Sequence, residues 1–132
     1  ETTISQVFGA EELLEMEQFA RSIPIADDLR REVVHLVMAT HPETDRASEE
    51  VRQYVQYGAS PRAGQACILA AKIQALLSGR LHVSLEDILH VAPPVLRHRM
   101  ILNFEAQADG KTSDSIIESL IQNCRNTRRN QP

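Results

Sequence analysis

The chain has no tryptophan, and only three phenylalanines and two tyrosines among its 132 residues. Sandwiches and barrels draw heavily on aromatic and β-branched side chains, so this scarcity points to helices packed through Leu, Ile, Val and Ala. Long apolar runs are missing too. No stretch approaches the roughly 20 residues a membrane-spanning helix needs, and Glu1-Thr2-Thr3 has no signal-peptide character. Cysteine is limited to Cys67 and Cys124, far apart and without a CxxC partner or metal-ligand spacing. That usage suits free thiols in a reducing cytoplasm better than a disulfide framework. A basic surplus is also absent: the formal net charge of -4 argues against a surface built to meet nucleic-acid phosphates. The late arginines Arg125, Arg128 and Arg129 read as a solvated tail. The missing initiator Met suggests a piece of a longer protein.

Catalytic signatures are equally sparse. Gly110-Lys111-Thr112 imitates the end of a phosphate-binding loop, but the first glycine of a GxxxxGK[ST] motif would fall on Glu105. Asp109 adds a second acid where phosphates would sit, and no strand leads in, so this is a turn between helices. His35, His41, His82, His90 and His98 form no HxxxH or HExxH pair, and surface or core-edge positions account for them better than a metal site. No GxSxG elbow is present to support nucleophilic catalysis.

What the chain does have is helical periodicity with clear stops. Residues 10–22 place Leu13, Met16, Ala20 and Ile23 on one face, with Glu11, Glu12 and Glu15 favouring the N-terminal end, and Pro24 closes the segment. A second helix is expected from Asp27, read as its N-cap, with Leu29, Val33, Leu36 and Val37 inward and a stop before Pro42. Residues 42–50 read as an acidic surface loop, and Val51 to Tyr57 fits a short helix or an extended segment. Gly58-Ala59-Ser60-Pro61-Arg62 is a turn into a helix, with Ser60 as cap and Pro61 at the first helical position.

That helix is expected to reach Ser78, carry Ala66, Leu69, Ala70, Ile73, Leu76 and Leu77 as its core stripe, and end at Gly79. Ser84 and Asp87 make a capping box for a helix through Ile88, Leu89 and Val91. Pro93-Pro94 is expected to break it, with another helix from Val95 to Phe104. After the Asp109-Gly110 turn, Ile116, Ile117, Leu120 and Ile121 mark a last helix. The expectation is an all-α, compact bundle of five to six helices.

Arg62 resists a purely structural account. A cation in the first helical turn opposes the macrodipole at a cost of about 0.3–1 kcal/mol. The same position offers free backbone N–H groups to an anion. The alternative is an ion pair with Glu49 or Glu50, worth little if exposed.

Several of these segments together resemble one known family. Gly58-Ala59-Ser60-Pro61-Arg62-Ala63, an Ala/Leu helix ending at Gly79-Arg80, Val83 with Asp87, and Val95-Leu96-Arg97-His98-Arg99 are similar to the lid domain of MoxR-family AAA+ ATPases. The match is specific over residues 58–104 and extends weakly to about 8–122; Ser84-Leu85 departs from it where a proline is expected. The resemblance implies that Arg62 is the sensor 2 arginine, reaching the terminal phosphates of Mg-ATP held on a separate core domain. Gly58, Ser60, Pro61 and Ala63 would support that turn and helix start, while Arg80, His98 and Arg99 belong to the pattern without an assigned step.

By the same resemblance, residues 1–9 would link to an absent ATPase core, 10–124 would form the lid, and 125–132 would trail as a polar tail. The parent would be a cytoplasmic homohexamer that hydrolyses ATP and remodels clients in a chaperone-like way, alongside von Willebrand factor A domain partners. No nucleic acid, bound metal or membrane span is expected of this segment. The competing expectation is a free-standing helical module that binds another protein without nucleotide chemistry.

Overall fold

The computed structural model describes residues 4–129. Its elements, in chain order, are α1 (Ala10–Ser22), α2 (Asp27–Ala39), α3 (Glu49–Tyr54), β1 (Val55–Tyr57), α4 (Pro61–Leu77), α5 (Leu85–Leu96), β2 (Ile101–Leu102), α6 (Phe104–Ala108) and α7 (Ser113–Arg129). The all-α expectation holds, with seven helices where five or six were expected and a small antiparallel ribbon between β1 and β2. Val55 faces Leu102 and Tyr57 faces Ile101 across that ribbon. One ambiguity resolves here, and one boundary moves. The segment from Val51 to Tyr57 is helix first and strand second, and Ser48 caps α3 by accepting from the Val51 amide at 3.3 Å. The acidic loop therefore ends before Glu49.

Other boundaries shift for physical reasons. Ala26, not Asp27, takes the N-cap of α2, and Asp27 and Asp28 lie in the first turn, where acids favour the positive helix end. Pro93 and Pro94 do not break α5, which runs unbroken to Leu96. Each proline removes an amide donor. Burial of Val91, Ala92 and Leu96 on the same helix offsets that loss, and the Arg97 amide returns to the Pro93 carbonyl at 3.0 Å. No helix spans Val95 to Phe104: the chain turns after Leu96, enters β2, and starts α6 at Phe104 under the Asn103 cap, whose side chain accepts from the Ala106 amide at 3.0 Å.

Helix α4 forms the closest pairings, with α5 on one side and α2 on another. Its buried residues are Ala63, Cys67, Ala71 and Ala75. The expected stripe is thus rotated: Leu69 is only partly buried, while Ile73 and Leu77 are 42% and 79% exposed. Gly64 extends the small-residue face toward Val33 and Val37 of α2. Small side chains let the helix axes approach, and large residues on α2 and α5 fill the space between.

The core has two centres. Leu36, Val51, Leu96, Ile116 and Ile117 belong to one; Ile23, Leu29, Val33, Ile88 and Val91 belong to the other. On α1, Leu13 and Met16 are more than half exposed, and only Ala20 is buried, so the amphipathic face expected there is largely uncovered. Residues 125–129 continue α7 rather than forming a solvated tail. Arg125 pairs with Glu86 at 2.8 Å and Arg128 with Asp28. The remainder of the expected tail, 130–132, lies outside the described residues.

Candidate functional site

The site is built from the turn that joins β1 to α4. Pro61 is the first residue of α4 and has no amide hydrogen to satisfy there. Ser60 stands at the N-cap with extended backbone, as expected, but its hydroxyl makes no capping hydrogen bond. No acidic residue occupies the first turn. Arg62 therefore sits at the positive end of a 17-residue helix, between Pro61, which has no amide hydrogen, and Ala63, whose amide donates to the Ser60 carbonyl at 2.8 Å. Its side chain is exposed and enters no ion pair among the described residues. Neither alternative pairing, with Glu49 or with Glu50, is present, and Glu50 instead holds Lys111 at 2.8 Å. Ala63 is fully buried and fixes the helix start on the core.

The turn is fastened from beneath by the end of α2. Thr40 is fully buried; its hydroxyl accepts from the Ala59 amide at 2.9 Å and donates to the Val37 carbonyl at 2.6 Å. His41 Nε2 lies 2.8 Å from the Ala59 carbonyl oxygen, and its Nδ1 lies 3.2 Å from Glu43. Gly58 sits directly against this pair. A Cβ there would fall 2.7 Å from the His41 ring and 2.8 Å from the Thr40 carbonyl oxygen, so only glycine fits without displacement. Sequence reasoning missed Thr40 and treated His41 as an edge residue. The bonds span 18 and 19 positions, and no local pattern announces them.

Arg80 is elsewhere. Helix α4, about 25 Å long at 1.5 Å per residue, separates it from Arg62. Its guanidinium forks onto Asp87, at 2.7 Å to Oδ2 and 2.5 Å to Oδ1. Asp87 is buried and also accepts from the Ser84 amide at 2.8 Å and hydroxyl at 2.7 Å. The Arg80 guanidinium, with the Ser84 donors, holds the Asp87 carboxyl down at about 2 despite burial. This is an internal fastening of the α4–α5 connection. It gives Arg80 a structural partner.

His98 and Arg99 follow α5, whose Leu96 shares a core centre with Ala63. His98 is exposed, and Nε of Arg99 is buried without a hydrogen-bond partner. The Gly110-Lys111-Thr112 turn is occupied structurally: Lys111 pairs with Glu50 and lies 5.5 Å from the centre of the Tyr54 ring, whose hydroxyl donates to Asp109 at 2.9 Å. Among the described residues, no group of three or more His, Cys, Asp or Glu side chains is arranged to hold a metal ion.

With this geometry in hand, the family described as AAA lid domain matches residues 47–120, which take in the turn, α4, α5 and the beginning of α7. This chain belongs to the AAA lid domain family. The lid is of the MoxR type: it is 34% identical over 117 residues to the chaperone MoxR1 of Mycobacterium tuberculosis, covering 89% of this chain and 31% of that protein. It is 30% identical over 121 residues to YeaC of Bacillus subtilis, a protein of uncharacterized function, covering 90% of the lid and 34% of YeaC. A crystal structure assigned as an ATPase from Cytophaga hutchinsonii superimposes with a TM-score of 0.80 at 35% identity, over 85% of the lid and 34% of that chain. The lid thus spans about a third of the length of the relatives it matches. No helix among its described residues is long and apolar enough to cross a membrane.

Proposed function

We propose that this lid is the nucleotide-sensing half of a MoxR-type ATPase, with Arg62 as its sensor 2 residue. The observation that carries the proposal is a free guanidinium, without an internal partner among the described residues, at the start of α4 on a turn braced by α2. A planar guanidinium fork suits phosphate oxygens, and its charge opposes the helix dipole, so an outside anion relieves the conflict. Mg-ATP bound on the core domain would supply the phosphoryl group and the free energy of its transfer. Arg62 would contact the terminal phosphate, and loss of that phosphate would release the lid and rotate it against the core.

In this reading residues 10–124 are the lid proper, preceded by a linker over 1–9, and the parent is a cytoplasmic homohexamer that remodels client proteins. Partners with von Willebrand factor A domains fit the same reading. The lid alone offers one edge of a nucleotide site. It is therefore expected to turn over no ATP and to bind Mg-ATP only feebly by titration calorimetry; micromolar binding abolished by Lys111→Ala would refute this division of labour.

The direct test compares wild type, Arg62→Ala and Arg62→Lys in the full-length ATPase under saturating Mg-ATP. Melting temperature should stay level, because the exposed side chain leaves the core untouched. Turnover should fall in the Ala variant, toward the loss of about 10³-fold that a phosphate-clamping arginine can produce. Lys should recover only part of it, since an ammonium cannot form the fork. Unchanged turnover in Arg62→Ala removes this residue from the site.

A further inference from the structure

We infer that Thr40 is the positioning residue for Arg62: its buried hydroxyl locks the turn from which Arg62 is aimed, and thereby ties the sensor to α2. The inference rests on the sensor reading of Arg62, but its structural ground is separate.

The Ala59 amide is buried and leads directly into Ser60, Pro61 and Arg62, yet its hydrogen-bond acceptor is neither a strand nor a helix partner. It is a side-chain oxygen from another element, 19 residues earlier. Thr40 itself has no freedom to swing. Its hydroxyl donates to Val37 at 2.6 Å, so the proton is committed to the end of α2 and a lone pair is left for Ala59. The Thr40 amide also returns to the Val37 carbonyl, at 3.1 Å, which tightens the last turn of α2.

Beside it, His41 meets the Ala59 carbonyl oxygen, so both polar backbone groups of Ala59 are held by consecutive residues just past the end of α2. Gly58 lets that segment approach to a distance no side chain would tolerate. The consequence is rigid-body coupling: the backbone that carries Arg62 cannot shift without moving the end of α2 or breaking these bonds. Helix α2 in turn packs on α4 and α7, so the sensor is tied into the body of the lid. A displaced phosphate contact loses rate steeply, since misplacement by about 1 Å can cost about 10²-fold.

The decisive substitution is Thr40→Val, which keeps the shape and removes the hydroxyl, with Thr40→Ser as the variant that keeps the hydroxyl. In this chain, the Ala59 amide should lose hydrogen-exchange protection in Thr40→Val and retain it in Thr40→Ser. In the full-length ATPase, Thr40→Val should lower turnover about tenfold to a hundredfold, and Thr40→Ser should restore most of it. Added to Arg62→Ala, Thr40→Val should lower turnover no further, because the residue it positions is gone.

A fully additive double variant, or wild-type turnover in Thr40→Val beside a deficient Arg62→Ala, overturns the positioning role while leaving the sensor intact. Wild-type turnover in Arg62→Ala instead fails the sensor reading itself. If Thr40→Val does not fold, His41→Ala carries the same comparison through the other half of the brace: an effect that persists undiminished in the Arg62→Ala background refutes the inference.

Discussion

Asp87 shows how one side chain ties local sequence to stability. Ser84 and Asp87 were legible as a capping box, because the pattern lies within one turn and its donors are known in advance. The Arg80 fork onto the same carboxylate was not legible, since the pairing depends on how the chain reverses between α4 and α5. Gly79 makes that reversal with φ at +73°, and the Arg80 amide returns to the Ala75 carbonyl at 2.9 Å. The carboxyl is depressed from 3.8 to about 2, which corresponds to about 2 kcal/mol of stability. Because the folded value is the lower one, this contribution is present above pH 3.8 and is lost as pH falls through about 2. Denaturant unfolding followed from pH 5 to pH 2 should reveal it. Asp87→Ala should remove the acid-sensitive component and cost about 3 kcal/mol, the low end for a broken buried pair, because Arg80 keeps 33% of its side-chain surface in water. Cys67 makes a complementary point. Burial pushes its thiol up to about 11, as befits the small core residue its Ala-rich surroundings suggested.

At the scale of elements, the single apolar stripes of α2 and α7 were assigned correctly, that of α1 is largely uncovered, and the inward face of α4, which has no single stripe, was misassigned. In α7, Ile116, Ile117, Leu120 and Ile121 are buried as expected, and polar residues leave the opposite face no alternative. In α4 almost every face is apolar, so periodicity identifies a helix without saying which side faces inward. Size decides instead: Ala63, Cys67, Ala71 and Ala75 allow close packing, and the larger Leu69, Ile73 and Leu77 are displaced outward. Leu69→Ala should consequently cost well under the about 2–5 kcal/mol of a central leucine, whereas Leu96→Ala, with its side chain fully buried, should cost that full amount. Ala71→Leu should lose about 1–3 kcal/mol through overpacking. Chemical denaturation of the three variants checks the order, and a Leu69→Ala loss equal to that of Leu96→Ala would contradict the observed rotation of α4. The same reasoning explains α5. Two prolines read locally as a break, but the break is overridden when the flanking residues are buried on both sides.

The whole molecule is fastened unevenly, and this unevenness follows from where the two core centres lie. Helices α2, α4, α5 and α7 each contribute several buried residues, while α1 contributes Ala20 and otherwise leaves Leu13, Leu14, Met16 and Phe19 more than half exposed. Its polar tie to the rest is the Lys72 ammonium donating to the Arg21 carbonyl at 2.6 Å, on an exposed surface. Few buried contacts mean that α1 can open without unfolding the core. Hydrogen exchange of this chain should therefore show α1 amides exchanging by local opening, well before those of α4 and α5, which should require global unfolding. The ion pairs of Arg125 and Arg128 are partly exposed and contribute little on their own, yet they hold α7 across α5 and α2, so α7 should exchange with the core and not with α1. The outcome against this account is protection of α1 equal to that of α5. A second measurement gives the apolar face of α1 its meaning. In the full-length ATPase proposed above, slower exchange of α1 than in this chain would mark that face as covered by the rest of that protein, and unchanged exchange would leave the helix a loose appendage of the lid.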